Sequence, residues 1–127
     1  MEMTNAQRVE ELNRLRVRVL DEIAHCDHVI GAPLIERCPC IVATEDGKYQ
    51  VGCTDDNMAT VTIGDLVCPV QFTPKAANRL AKEFKAENGY GPLVWHVFSA
   101  KAFYAKRRQN LQPIVGMYDE LIVKFSN

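Results

Sequence analysis

The sequence predicts an α+β fold: a long N-terminal helix, an antiparallel β-meander, then helix, strand, helix and strand, the helices forming one layer on a sheet. Three observations carry this expectation. A capped run with helical apolar spacing opens the chain, Asp46-Gly47 separates two alternating apolar runs, and Thr73-Pro74 begins a second amphipathic run. The chain has 127 residues, 47% of them apolar, which suits one core rather than two. Residues 1–127 are therefore expected to form a single domain, with residues 1–31 as its N-terminal helix and an oligomerisation element.

Thr4 followed by Gln7 has the form of a capping box, and Val9, Leu12, Val19, Ile23, Cys26 and Ile30 recur at helical steps. Gly31 and Pro33 end the run. From Asn5 to Ile30 such a helix is about 39 Å long at 1.5 Å per residue, more than a domain of this mass needs for internal packing. Arg16 interrupts the apolar seam, so the expectation is a helix laid across a sheet and projecting at one end. Residues 41–44, 49–54 and 58–63 read as three strands, the first two joined by the Asp-Gly hairpin. Residues 66–72 add a short extended piece that Pro69 confines to an edge.

In the second helix Thr73 is the N-cap and Pro74 the first helical residue, Ala77, Leu80, Ala81 and Phe84 form the apolar face, and Asn88-Gly89 terminates it. Residues 93–98 form a strand with Trp95 and Val97 on one face and His96 and Phe98 on the other. Ser99 caps a third helix that runs to about Asn110 and is closed by Pro113. Val115, Tyr118, Ile122 and Phe125 fit helical spacing, yet residues 121–125 are rich in strand formers after Gly116, and a final strand is expected there.

A net charge of -1 with 24% charged residues excludes wholesale disorder and a histone-like polycation. No apolar run reaches the roughly 18 residues of a membrane span, and Met1 to Arg8 lacks the pattern of a signal peptide, so a cytoplasmic protein is expected. Five cysteines, an odd number, argue for reduced thiols. Cys38, Cys40, Cys53 and Cys68 lack the paired spacing of a structural zinc site, although His25 and His28 could complete a mixed one. Packing is the expected role of the thiols, and no metal or cofactor is assigned.

Charge is unevenly spread. From Glu36 to Phe72 six acidic residues face two basic ones, whereas Asn88 to Tyr118 holds Lys101, Lys106, Arg107 and Arg108 with no acid. Phe103, Tyr104, His96 and Trp95 interleave with these cations, and Asn110 and Gln109 add polar groups that could read an edge. Arginine offers paired donors to phosphate and aromatic rings offer surfaces for a base, so the segment is the candidate site for an anionic, nucleotide-like ligand. Complementing a helix dipole, or pairing with the acidic hairpin or a second subunit's acids, would use the same charges without a ligand. The start of the second helix, with Thr73 and Lys75, is a weaker secondary anion site. No phosphate-binding glycine loop, dinucleotide fingerprint, nucleophile elbow or zinc-protease helix is present, so an enzyme is not expected. One segment of four cations is too little for strong nucleic-acid binding.

The run Asp46-Gly47-Lys48-Tyr49-Gln50-Val51-Gly52, then Phe72-Thr73 opening a helix with Ala77 and Leu80, then a strand with Trp95 and Val97, resembles the layout of small phage-encoded accessory proteins over residues 41–98. In general layout the chain is similar to the Thoeris anti-defence sponges. That resemblance implies a homo-oligomer in the host cytoplasm that sequesters cyclic ADP-ribose or a cyclic nucleotide without cleaving it. No binding residue is carried over from that family. The competing expectation is a protein-binding inhibitor of anti-CRISPR type, acting through the acidic surface at Asp46 and the Asp55-Asp56 turn.

Overall fold

The computed structural model describes residues 2–32, 39–53, 59–86 and 93–126. The side chains of Cys53, Ala59, Lys85 and Ala86 are not among the described parts. Helix α1 spans Asn5–Gly31, strands β1, β2 and β3 span Cys40–Ala43, Tyr49–Cys53 and Ala59–Ile63, helix α2 spans Pro74–Ala86, strand β4 spans His96–Ser99 and helix α3 spans Ala100–Ser126. The α+β class expected from the sequence is the class observed.

All four strands pair antiparallel in the order β3-β2-β1-β4. The meander forms around the turn that the Asp-Gly pair predicts. Thr44 N–H donates to the Tyr49 carbonyl at 2.9 Å, and Asp46 Oδ1 accepts from the Thr44 hydroxyl at 2.7 Å and from Lys48 N–H at 3.0 Å. Gly47 sits at φ 74°, where a side chain would be strained. The extended piece after β3 survives as one bridge, Phe72 to Cys40, with N–H to O distances of 2.7 and 3.0 Å.

The alternation of side chains sorts two cores onto opposite faces of the sheet. Ile41, Ala43 and Phe98 pack with Cys26 of α1 and with Ala100, Phe103 and Tyr104 of α3. Val42, Val51, Val97 and Trp95 pack with Ala77, Leu80 and Phe84 of α2. The helices therefore lie on both faces, α3 with α1 on one and α2 on the other, and the single helix layer expected from the sequence is corrected to two. The cause is the apolar pattern of β1, where Ile41, Val42 and Ala43 are all fully buried and both faces need cover.

The local caps are as expected. Thr4 and Gln7 exchange bonds of 2.9 and 3.1 Å at the start of α1, the Thr73 hydroxyl accepts from Ala76 N–H, and the Ser99 hydroxyl accepts from Ala102 N–H. The Asn88-Gly89 stop, Pro33 and the 54–58 turn lie outside the described residues.

Two expectations for the helices are corrected. No final strand forms among the described residues: α3 passes through Pro113 and Gly116 and runs for 27 residues. Proline removes one helical hydrogen bond and crowds the preceding turn, at about 3 kcal/mol, and glycine costs about 1 kcal/mol more. Leu111 and Val115 bury almost completely against Val19 and Ile23 of α1, with Ile114 and Tyr118 alongside. At roughly 1.5–3 kcal/mol for each large apolar side chain, this seam outweighs the breakers. Pro113 itself is exposed, where its ring meets solvent rather than a packed neighbour. Helix α1, in turn, runs along α3 rather than across the sheet, and no strand backbone among the described residues lies beside it. Arg16 keeps its place in the seam by donating to Asp119 across it at 2.6 Å.

Candidate functional site

The cationic segment divides into committed and uncommitted groups. Arg107 is 1% exposed, and its guanidinium donates to Glu22 at 2.9 Å and to Gln50 Oε1 at 2.7 Å. It also stacks 4.9 Å from the centre of the Phe103 ring and 5.5 Å from that of Tyr104. Phe103 and Tyr104 are themselves buried. Arg108 pairs with Asp27 at 2.5 Å across the α1–α3 seam. The sequence placed these four residues in a ligand site; Arg107, Phe103 and Tyr104 belong instead to the core, whereas Arg108, half exposed in its pair with Asp27, lines a separate concavity with Lys106 and Gln109. Asn110 is also engaged, donating to the Asp46 carbonyl at 2.9 Å.

This node has measurable electrostatic consequences. Burial, with the nearby Glu22 carboxylate, pushes the Cys26 thiol up to about 11, and burial pushes the Tyr104 hydroxyl up to about 12. Arg107 Nε has no hydrogen-bond partner among the described residues, a desolvation cost that the Glu22 and Gln50 bonds and the ring stacking offset.

The uncommitted groups are Lys101, Lys106 and His96. No carboxylate among the described residues pairs with either lysine. Lys106 and His96 meet in a cleft of about 500 Å³ where β1 runs into the hairpin and β4 begins; Thr44, Glu45, Asp46, Tyr49, Leu93 and Val94 complete its lining. The register Ala43 opposite His96 puts the imidazole beside the hairpin, and the Gly47 turn rests against Lys106 and Phe103 of α3. A β-carbon at Gly47 would stand 3.8 Å from Lys106 Cγ, so the lysine stem lies against the turn, and the residue lines the cleft. The Thr44 hydroxyl holds the Asp46 carboxyl below the usual carboxylate range, helped by Lys48 N–H. Asp46 is thus a fixed acceptor of the turn, and the exposed Glu45 is the carboxylate free to meet a ligand.

Lys101 lies in the first turn of α3 and does not line this cleft. Thr73 and Lys75 stand at the start of α2, on the far side of the sheet from α3, where the Thr73 hydroxyl already caps its helix. They do not join the cleft.

Sequence reasoning missed Tyr49 and Glu45 as cleft residues. The signal for them was the hairpin itself, which sets Thr44 beside Tyr49; the pairing of Ala43 with His96 has no local trace. No three His, Cys, Asp or Glu side chains come together in metal-binding geometry among the described residues. Cys26, Cys40 and Cys68 are free thiols, while Cys38 and the Cys53 side chain lie outside the described residues, as do Asp55 and Asp56. No helix among the described residues is long and apolar enough to cross a membrane.

No family model matches the chain, and neither a curated protein nor a solved structure does.

Proposed function

We propose that this protein binds a phosphorylated, nucleoside-like small molecule in the cleft at the hairpin end of the sheet and holds it without turning it over. One observation carries the reading: a lysine, an imidazole, an aromatic ring and a free carboxylate converge in one concavity, as Lys106, His96, Tyr49 and Glu45. Lys106 and His96 suit a phosphate, the Tyr49 ring suits a base, and Glu45 suits the hydroxyls of a sugar. About 500 Å³ falls within the range of small-molecule sites. With two carboxylates in the lining, a ligand anionic at one end only is favoured over a uniformly anionic one. None of the catalytic motifs sought in the sequence supplies a nucleophile. The counter-defence role, the host cytoplasm and the cyclic ligands are what the resemblance to phage accessory proteins implies, and sequestration by a homo-oligomer is the form the proposal takes.

Calorimetric titration with AMP, cyclic AMP and ADP-ribose tests the site. Binding at one site per chain is expected for at least one of them, weakened about tenfold or more by Lys106→Glu, a loss of at least one charge-assisted contact. Lys75→Glu, on the other side of the sheet, leaves it unchanged. Absence of heat with all three compounds, or equal affinity in Lys106→Glu, overturns the proposal.

A further inference from the structure

We propose that the outer face of α1 is a self-association surface whose occupant is the same face of a second copy, antiparallel and centred on Val17. This rests on the homo-oligomer within the proposed function but not on its ligand. Helix α1 has 27 residues, of which Val19, Ile23 and Cys26 are buried, and α3 is the described element it runs along. Glu10, Arg14, Val17, Leu20, Asp21 and Ala24 follow one another at helical steps on its outward side. All six are exposed, Val17 at 53% and Leu20 at 36%. Large apolar side chains are left in water at the middle of a helix that charged residues flank.

The order of charges on this face selects the partner. Arg14 lies three residues before Val17 and Asp21 four residues after it. A two-fold axis at Val17 that reverses the second helix sets Val17 against the partner's Val17, and Arg14 against the partner's Asp21. The same contact repeats on the other side of the axis. An isologous contact demands this self-complementarity, and a parallel pairing would set arginine against arginine. Within one chain Arg14 is held only by Glu11, one turn back on the same exposed face, while Asp21 has no partner among the described residues. A face about 40 Å long and one helix, about 10 Å, wide covers about 400 Å² per partner, the scale of a weak and reversible dimer.

Analytical ultracentrifugation of the full chain tests the inference. A dimer in reversible exchange with monomer is expected at about 10 µM. Val17→Asp is expected to raise the dissociation constant about fiftyfold, and Arg14→Asp or Asp21→Arg alone about five- to tenfold. The combined swap of Arg14→Asp with Asp21→Arg restores the pairs with reversed sign and returns the constant to within about threefold of the original. A monomer at about 100 µM, an unaffected Val17→Asp dimer, or a combined swap no better than its parts while circular dichroism stays unchanged overturns it. Titration of Val17→Asp with AMP, cyclic AMP and ADP-ribose keeps the two proposals apart: loss of the dimer with binding retained upholds the surface and leaves the cleft standing by itself.

Discussion

The two faces of the sheet are built on different principles. Toward α2 the core is apolar throughout, with Val42, Val51 and Val97 of the strands against Ala77, Leu80 and Phe84 of the helix. Toward α3 the apolar cluster of Ile41, Ala43, Phe103 and Tyr104 sits beside a buried ionic node, where Arg107 joins Glu22 of α1 to Gln50 of β2. An apolar core loses stability in proportion to what is removed from it. A buried ion pair is asymmetric: it adds little net stability when complete, and removal of one partner strands the other. The α2 face therefore supplies stability, and the node sets how α1, α3 and the hairpin strand are placed relative to one another.

The largest effect is expected at the node. Arg107→Ala leaves Glu22 and Gln50 without their partner and is expected to cost about 3–5 kcal/mol in urea denaturation, whereas Arg107→Ala combined with Glu22→Ala recovers part of that loss. A non-additive cycle sharpens the contrast; additive losses erase it. On the other face Leu80→Ala is expected to cost about 2–4 kcal/mol, set by the cavity it leaves and additive with distant substitutions. Alkaline titration comes next. The Cys26 thiol is neutral in the folded protein up to about 11. Unfolded, it ionises from about 8.5, so stability is complete below that pH and falls as pH rises toward the folded value. Between pH 8 and 10.5 the protein is expected to lose about 2 kcal/mol more than Cys26→Ala does. Equal slopes would place the thiol outside the node. The smallest effect belongs to Arg108→Ala, about 0.5 kcal/mol or less, because its pair with Asp27 is solvent-exposed on both sides.

This contrast also explains which parts of the molecule could be read in advance. The Thr4 capping box, the Asp46-Gly47 hairpin and the Thr73-Pro74 helix start depend on neighbours within a few residues, and each formed as expected. The course of α3 beyond Pro113 depends on Val19 and Ile23, far away in the chain, whose packing overrides the proline. Arg107 was misplaced for the same reason, since its partners stand 85 and 57 residues distant. Counting charges along a segment finds cations but not their counterions. Of the candidate site, His96 and Lys106 were legible and came together, whereas Tyr49 and Glu45 joined them only through strand pairing.

Charge reversal at Arg107 is accordingly unsuited to testing ligand binding, because it would disrupt the fold before any ligand arrived. Lys106, one residue earlier and exposed, is the position at which charge can be changed at little structural cost.

Proline at position 113 divides α3 into two stretches of different resilience. Its missing amide leaves the Gln109 carbonyl without its helical donor, so the ladder is broken between the half anchored on the sheet and the half that packs on α1. Local opening thus has a natural boundary, and deuterium uptake should rise past Pro113 well before the backbone amides around Phe103 begin to exchange.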